Sequence, residues 1–392
     1  MKAVEIAKNI YWVGTVDWDL RDFHGYMTQR GSSYNAYLIM DEKITLIDNC
    51  KEYLTQELIQ RIESITPVSS IDYFIQNHIE MDHSGALPQL LARNSKGRVY
   101  LSKRGAANIG GLFDIDKNRI EAVEMDTKLN IGKRELSFLA TPMVHWPDNM
   151  FTYCKEDKIL FSNDAFGQHI ASSERIDSDY FFDVLMQEAK KYYANIVLCY
   201  SAQVQRALTA ASGLKIETIA PSHGIIWKKY IPQILEAYNS WSSYEADKQK
   251  AVIIYDTMWN STKTLAYSIA EAFEQKGVFV EILSLQKNHI SDIMTKLVDA
   301  KYIAVGSSTL NKQILPTVSS FLTYLKGLAP KKKTGFAFGS YGWGSGESIK
   351  IIENELTNCN FEMMGSFKVK NIPKKEDLEV IKQIVLNKVE EQ

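Results

Sequence analysis

The sequence predicts two α/β domains in one chain, the second of them a doubly wound, five-stranded parallel sheet. Three observations carry this. Beyond residue 250 apolar strands and amphipathic helices alternate regularly. Before it, apolar runs repeatedly end in a histidine or a carboxylate. Histidine is also unevenly spread: His24, His78, His83, His145, His169 and His223 lie in the first part and only His289 in the second. At 392 residues the chain exceeds one ordinary core. The polar stretch 242–250 precedes the apolar strand 251–255, so the domains are expected at 1–249 and 250–392.

In the first domain, aromatic-rich strands are expected at Ile10–Val13 and Tyr34–Ile39. Four further strands each lead to a polar residue: 71–76 to His78, 136–140 to His145, 158–161 to Asp164 and 216–220 to His223. Such strands can deliver residues that are distant in sequence to one sheet edge. In the second domain, strands are expected at 251–255, 278–285, 302–306, 334–339 and 365–369. Helices are expected at 262–276, 290–299, 316–328, 347–357 and 375–390.

Composition excludes several classes. A 45% hydrophobic, 23% charged chain of net charge −2 is that of a soluble globular protein. It shows no basic surface for nucleic acid and no polybasic tract for a membrane. The first residues lack a signal-type apolar core, and no apolar run is long enough to span a bilayer. Cys50, Cys154, Cys199 and Cys359 are scattered and form no C-x-x-C pair. They read as buried apolar side chains, and a cytoplasmic location is expected.

The densest chemistry is His78-Ile79-Glu80-Met81-Asp82-His83, two imidazoles and two carboxylates in six residues. In extended backbone His78 and Glu80 project to the same side and can share an ion. Asp82 and His83 fall where a helix begins, so Asp82 has a competing reading as a helix cap. A cap explains neither the histidines nor Glu80. His145, Asp164 and His223 are each unremarkable alone, but together with the six-residue run they make four histidines and three carboxylates.

This set resembles the metallo-β-lactamase superfamily over about residues 30–225, where H-x-H-x-D-H is followed by a His, an Asp and a His. That implies an αββα sandwich for the first domain. Here Glu80 stands in place of the second histidine. A hard carboxylate oxygen in place of an imidazole shifts preference from zinc toward iron or manganese. The H-x-E-x-D-H form is similar to that of flavodiiron proteins (A-type flavoproteins). The resemblance implies that His78, Glu80 and His145 bind one iron, that Asp82, His83 and His223 bind another, and that Asp164 bridges them. It also places His24 and Tyr193 near the open face, as proton donors or hydrogen-bond partners of a bound diatomic; packed aromatics are the competing reading. His169 is expected to be structural or on the surface.

Strand 251–255 leads into Thr257, Met258, Trp259, Asn260, Ser261 and Thr262. The loop lacks the P-loop and dinucleotide glycine patterns. Hydroxyls and N–H groups at a helix N-terminus suit the phosphate of a mononucleotide such as FMN. Two more loops fall at the same sheet edge: Ser307, Ser308, Thr309, Leu310 and Asn311, then Ser340, Tyr341, Gly342, Trp343 and Gly344. Glycine admits close approach of a planar ring, and Trp259, Tyr341 or Trp343 can cover its faces. Residues 250–392 resemble short-chain flavodoxins, with Ser308 where many relatives carry proline.

Together these readings give an enzyme that passes electrons from an external donor through FMN to a non-haem diiron centre, reducing O2 to water, NO to N2O, or both. Rubredoxin, a reduced deazaflavin or a flavin reductase are the candidate donors, since no rubredoxin-like cysteine pairs appear. The resemblance further implies a head-to-tail homodimer or a dimer of dimers. The alternative is a zinc hydrolase carrying a flavodoxin-like module. Metal and flavin analysis separates the two: about two irons and one FMN per chain are expected, whereas zinc would select the hydrolase.

Overall fold

A computed structural model describes residues 1–124 and 127–389. The chain divides into two compact units: Met1–Tyr193 with Tyr200–Asn239, and Ala194–Cys199 with the chain from Ser240 onward.

The first unit stacks two sheets. A seven-stranded sheet runs in the order Val4–Ala7, Ile10–Trp12, Tyr37–Ile39, Thr45–Ile47, Tyr73–Gln76, Arg98–Ser102, Ile120–Val123. A five-stranded sheet follows chain order through Lys128–Asn130, Glu135–Ala140, Met150–Cys154, Ile159–Asn163 and Thr218–Pro221. Alternation along each strand sends one set of side chains between the sheets. Trp12, Tyr37, Ile47 and Ile75 from the first sheet meet Phe138, Met150, Phe161 and Ala220 from the second in one buried cluster. On the outer face of the first sheet, Leu58 and Ile62 of helix Thr55–Glu63 and Leu87 and Leu90 of helix Leu87–Ala92 pack on Leu38, Phe74 and Val99.

Two expectations change here. The segment 34–39 is two strands, Ser32–Tyr34 and Tyr37–Ile39. Asn35 separates them because its side chain is committed elsewhere: Nδ2 donates to Pro221 O and Gly224 O, while Oδ1 accepts from Trp12 Nε1. The four site-bearing strands also do not share one sheet. Tyr73–Gln76 pairs in parallel with Thr45–Ile47 and Arg98–Ser102, whereas the other three lie in the second sheet. The site is therefore assembled from two sheets.

The second unit is a five-stranded parallel sheet in the order Phe279–Ser284, Asp247–Tyr255, Ala300–Ser308, Thr334–Tyr341, Glu362–Lys370. In chain order this is 2-1-3-4-5, the flavodoxin-like winding. Helices Ser261–Gln275, Ile290–Leu297, Pro316–Leu328, Glu347–Asn358 and Lys375–Leu386 fall at the predicted positions, except that the last ends at Leu386, with Asn387 as its cap, short of the expected 390. The predicted last residue of the final helix, 390, lies outside the described residues. The expected boundary at 249/250 falls within strand Asp247–Tyr255. Segment Ala194–Cys199 joins this unit through Asn195, whose Nδ2 donates to Ser291 O and whose Oδ1 accepts from Tyr324 OH.

Because Phe161 sits between the two sheets of the first unit and packs against Tyr37, Phe161→Ala should cost about 3–5 kcal/mol. Urea denaturation of the holoprotein reads this directly, and a loss below about 1 kcal/mol would contradict the packing described.

Candidate metal centre and flavin site

After strand Tyr73–Gln76 the chain bends at Asn77 and again at Glu80, where the short helix Met81–Ser84 begins. Glu80, not Asp82, holds the position before that helix, and no side chain caps it. Asp82 is thereby left free of helix duty and turns inward, 3% exposed. His145 follows strand Glu135–Ala140 by a tight turn, Asp164 directly follows Ile159–Asn163, and His223 follows Thr218–Pro221.

These residues meet as two adjoining groups, His78 with Glu80, His145 and Asp164, and Asp82 with His83 and His223. In the first, Glu80 Oε2 lies 3.2 Å from both His78 Nε2 and His145 Nε2. Asp164 Oδ2 lies 3.8 and 3.6 Å from the same two nitrogens. In the second, Asp82 Oδ1 is 3.4 Å from His83 Nε2, and Asp82 Oδ2 is 3.3 Å from His223 Nε2. Asp164 Oδ1 completes that group at 3.0 Å from His83 Nε2 and 3.4 Å from His223 Nε2. One carboxylate thus offers an oxygen to each group.

The electrostatics state what is required. Asp82, His83, Asp164 and His223 are buried, and no lysine or arginine forms an ion pair with any of the seven among the described residues. Buried carboxylates cost several kcal/mol each unless a cation meets them. Burial alone would raise the Asp164 carboxyl, yet the imidazoles of His83 and His223 hold it well below the carboxylate range. Burial would likewise lower His223, and the facing Asp164 and Asp82 push it up to about 10. Both Asp82 oxygens, Asp164 Oδ2 and His223 Nε2 are buried without a hydrogen bond. The converging atoms are unused acceptors and imidazole nitrogens in two clusters, a donor set that fits two cations.

The second ring nitrogens of His78 and His223 are pinned. His78 Nδ1 lies 3.0 Å from Asp148 Oδ2, which also accepts from Ile79 N, and His223 Nδ1 donates to Ser33 O at 2.8 Å. These contacts orient Nε2 of each ring toward the cluster.

The buried Asp48 carboxylate lies behind the ligands. It accepts from Asn77 N and Nδ2, from Gln76 Nε2, and at 3.4–3.5 Å from Ser222 Oγ and Asn163 Nδ2. Asn77, Asn163 and Ser222 immediately precede His78, Asp164 and His223 in the chain. Gln76 Nε2 also donates to the carbonyls of His78 and His83.

A cleft of about 510 Å3, lined in part by His24, Glu80, Asp82 and Trp146, opens onto the ligands. His24 Nε2 donates to Glu80 Oε1 at 2.9 Å, and that bond holds the imidazole above its ordinary value. Tyr193 is placed differently from expectation: it is buried, its hydroxyl is 2.7 Å from Ser201 Oγ, and its ring packs on Tyr238. Its neighbour Tyr192 meets the cluster instead, donating to Asp164 Oδ1 at 2.9 Å. The signal was available, since Leu185, Ala189 and Tyr192 form one buried stripe of helix Phe182–Tyr192. His169 is structural rather than superficial, fully buried, with Nδ1 2.7 Å from Ser32 Oγ and its ring tilted at 59° against that of His223.

In the second unit a cavity of about 630 Å3 opens at the carboxyl ends of the strands. Met258, Trp259, Ser261, Ser308, Thr309, Leu310, Ser340, Tyr341, Gly342 and Trp343 line it, as the sequence predicts. Trp259 and Trp343 are 87% and 79% exposed, an uncovered aromatic rim suited to a planar ring. Thr262 Oγ1 joins the hydroxyls of Ser308 and Ser340 beneath it, and the Thr257 hydroxyl is buried without a partner. Asn260 has φ +67° and turns the chain into helix Ser261–Gln275, whose first N–H groups suit a phosphate. Ser307 turns away: its hydroxyl accepts from Leu315 N and donates to Ser308 O. Asn260, Asn311 and Gly344 are exposed beside the cavity rather than on its wall. Asn371 and Ile372 complete the lining, unforeseen although they too follow a strand of this sheet.

Known proteins resemble both units of the chain. Residues 33–224 match the model of the ODP family beta lactamase, and residues 253–382 match the flavodoxin model. A nitric oxide reductase of Moorella thermoacetica is 42% identical over 382 residues, 96% of this chain and 95% of that protein. The structure of rubredoxin oxygen:oxidoreductase from Desulfovibrio gigas superposes with a TM-score of 0.96 at 38% identity, covering 99% of this chain and 98% of that one. The flavodiiron protein of Giardia intestinalis superposes with a TM-score of 0.94 at 33% identity, covering 99% and 96%. The chain belongs to the flavodiiron protein family.

Asp48→Ala changes no ligand but removes the acceptor that ties three ligand-bearing strand ends together. Metal retention should weaken about 10–100-fold, as for other residues that orient ligands from behind. Competitive chelation followed by elemental analysis checks this, with far-ultraviolet circular dichroism to confirm folding. Unchanged retention would contradict the role.

Proposed function

We propose that this chain is a reductase of small diatomic gases, taking O2 to water, NO to N2O, or both, with electrons passed from FMN to a pair of irons. The observation that carries this is Asp164, which offers one oxygen to each of two facing ligand groups on a chain that also holds a flavodoxin-like site. Relatives named nitric oxide reductase and rubredoxin-oxygen oxidoreductase support the choice of substrates.

His78, Glu80 and His145 would hold one iron and Asp82, His83 and His223 the other, with Asp164 offering an oxygen to each group. Such irons would supply redox equivalents and Lewis acidity toward a diatomic substrate. The protein's own groups do the rest. Asp148 and Ser33 O fix the His78 and His223 rings. Tyr192 donates to the Asp164 oxygen that faces His83 and His223 and so withdraws charge from that arm of the bridge. Both reductions consume protons, and His24, half exposed in the cleft and bonded to Glu80, is the group best placed to relay them from solvent. Tyr193, once expected beside it, is assigned no such task.

FMN would be held in the second unit's cavity, where the 257–262 turn offers groups for a phosphate and Trp259 and Trp343 offer aromatic faces for a ring. Electrons come from an external protein or reduced cofactor, with rubredoxin first among the candidates because a relative carries it in its name. The working form is a head-to-tail homodimer in the cytoplasm. No helix among the described residues is long and apolar enough to cross a membrane. A zinc hydrolase is disfavoured by Glu80 and leaves the flavin cavity without a purpose.

Asp164→Ala and His83→Ala should each abolish O2 and NO consumption by anaerobically reduced protein while FMN stays bound. Full activity in either would exclude the site. A double change, Thr257→Ala with Thr262→Ala, should lose flavin absorbance but keep iron; loss of both would argue against separate sites.

A further inference from the structure

The first unit holds another cavity, about 310 Å3, that the proposed reaction has not yet used. Phe151 and Leu160 of the second sheet form part of its floor, and Val204 and Leu235 of helices Ser201–Ala211 and Ile231–Ser242 part of its walls. Val144 and Ala165 also line it. Each of these two is the chain neighbour of a ligand-set residue, His145 and Asp164. The apolar chamber therefore borders the chain next to two members of the first group, His145 and the shared Asp164.

Polar groups on the wall are occupied. Tyr238 OH accepts from Phe166 N at 2.7 Å, and Ser212 Oγ donates to Thr209 O at 2.8 Å. The inner wall is apolar, with the polar Ser212 and Asn239 at the exposed mouth, and such a wall favours uncharged apolar guests. The cleft over Glu80 and Asp82 differs in carrying charge: Asp22, Glu52, His24 and Lys51 stand there among apolar Phe23, Leu112, Phe113 and Trp146, and they suit it to protons. O2 and NO are small, uncharged and more soluble in hydrocarbon than in water, so burial in the chamber favours them.

We propose that this chamber collects the diatomic substrate and hands it to the ligand cluster past Val144 and Ala165, leaving the charged cleft to protons. The proposal rests on the reading of the chain as an O2 or NO reductase.

Xenon is the probe for the chamber, being apolar and of comparable size, and its binding needs no turnover. Crystals of the holoprotein under xenon pressure should show a peak beside Val144, Ala165 and Val204. Ala207→Phe, which fills the space from helix Ser201–Ala211, should lose that peak. It should raise KM for the gas severalfold, with kcat at saturating gas and iron and FMN content unchanged. Val204→Phe serves the same end should the first variant fail to fold. No xenon in the wild-type chamber, or a filled chamber with unchanged KM, overturns the delivery route. Wild-type protein that binds xenon but consumes neither gas overturns the reductase reading instead, so the two failures are told apart.

Discussion

Three carboxylates, Glu80, Asp82 and Asp164, face one another in a largely buried pocket with only imidazoles opposite. Charges so placed repel, and among the described residues no lysine or arginine forms an ion pair with any of them. Everything around the pocket answers that constraint. The imidazoles of His78 and His223 are drawn toward their protonated forms, a sign of how strongly the site asks for positive charge. Metal ions meet the demand better than protons, because each ion accepts several ligands at once and relieves the orphaned oxygens of Asp82 and Asp164.

Holding such a pocket open before the cations arrive needs a rigid frame, and the two stacked sheets provide it. Ligands leave four strand ends in two different sheets, so their relative positions depend on how those ends are tied. Asp48 does this with one carboxylate, bonding residues that precede three of the ligands, while Gln76 secures the carbonyls of His78 and His83. Asn35 adds a tie from the first sheet's edge to the turn carrying His223. The frame makes polar use of a part of the protein that composition alone would assign to apolar core. The second unit applies the same economy: three buried hydroxyls, Thr262, Ser308 and Ser340, join loops from three strands under one cavity.

Much of this was legible in the sequence. The strand–helix alternation after residue 250 marks all five strands and helices, because each apolar run is short, continuous and bounded by glycine or polar turns. The seven ligand-set residues were legible because histidine and acidic residues are costly at strand ends without a partner. What pattern could not show depended on tertiary partners. Whether four strands share a sheet is decided by pairing, which periodicity does not encode. Choosing Tyr193 over Tyr192 followed a resemblance, whereas the helix stripe would have chosen Tyr192. Nothing in the sequence pattern marks Asp48 or Asp148, since their role lies in bonds to groups far away in the chain. Asn195 pulled its segment into the second unit for the same reason.

The central claim is that Asp164 joins two irons into one centre. Partial one-electron reduction of the purified protein, followed by electron paramagnetic resonance at liquid-helium temperature, tests it most directly. The account predicts the signal of an exchange-coupled mixed-valence pair that vanishes on full reduction. Only isolated mononuclear ferric resonances, or no iron signal in a zinc-loaded protein, would contradict it.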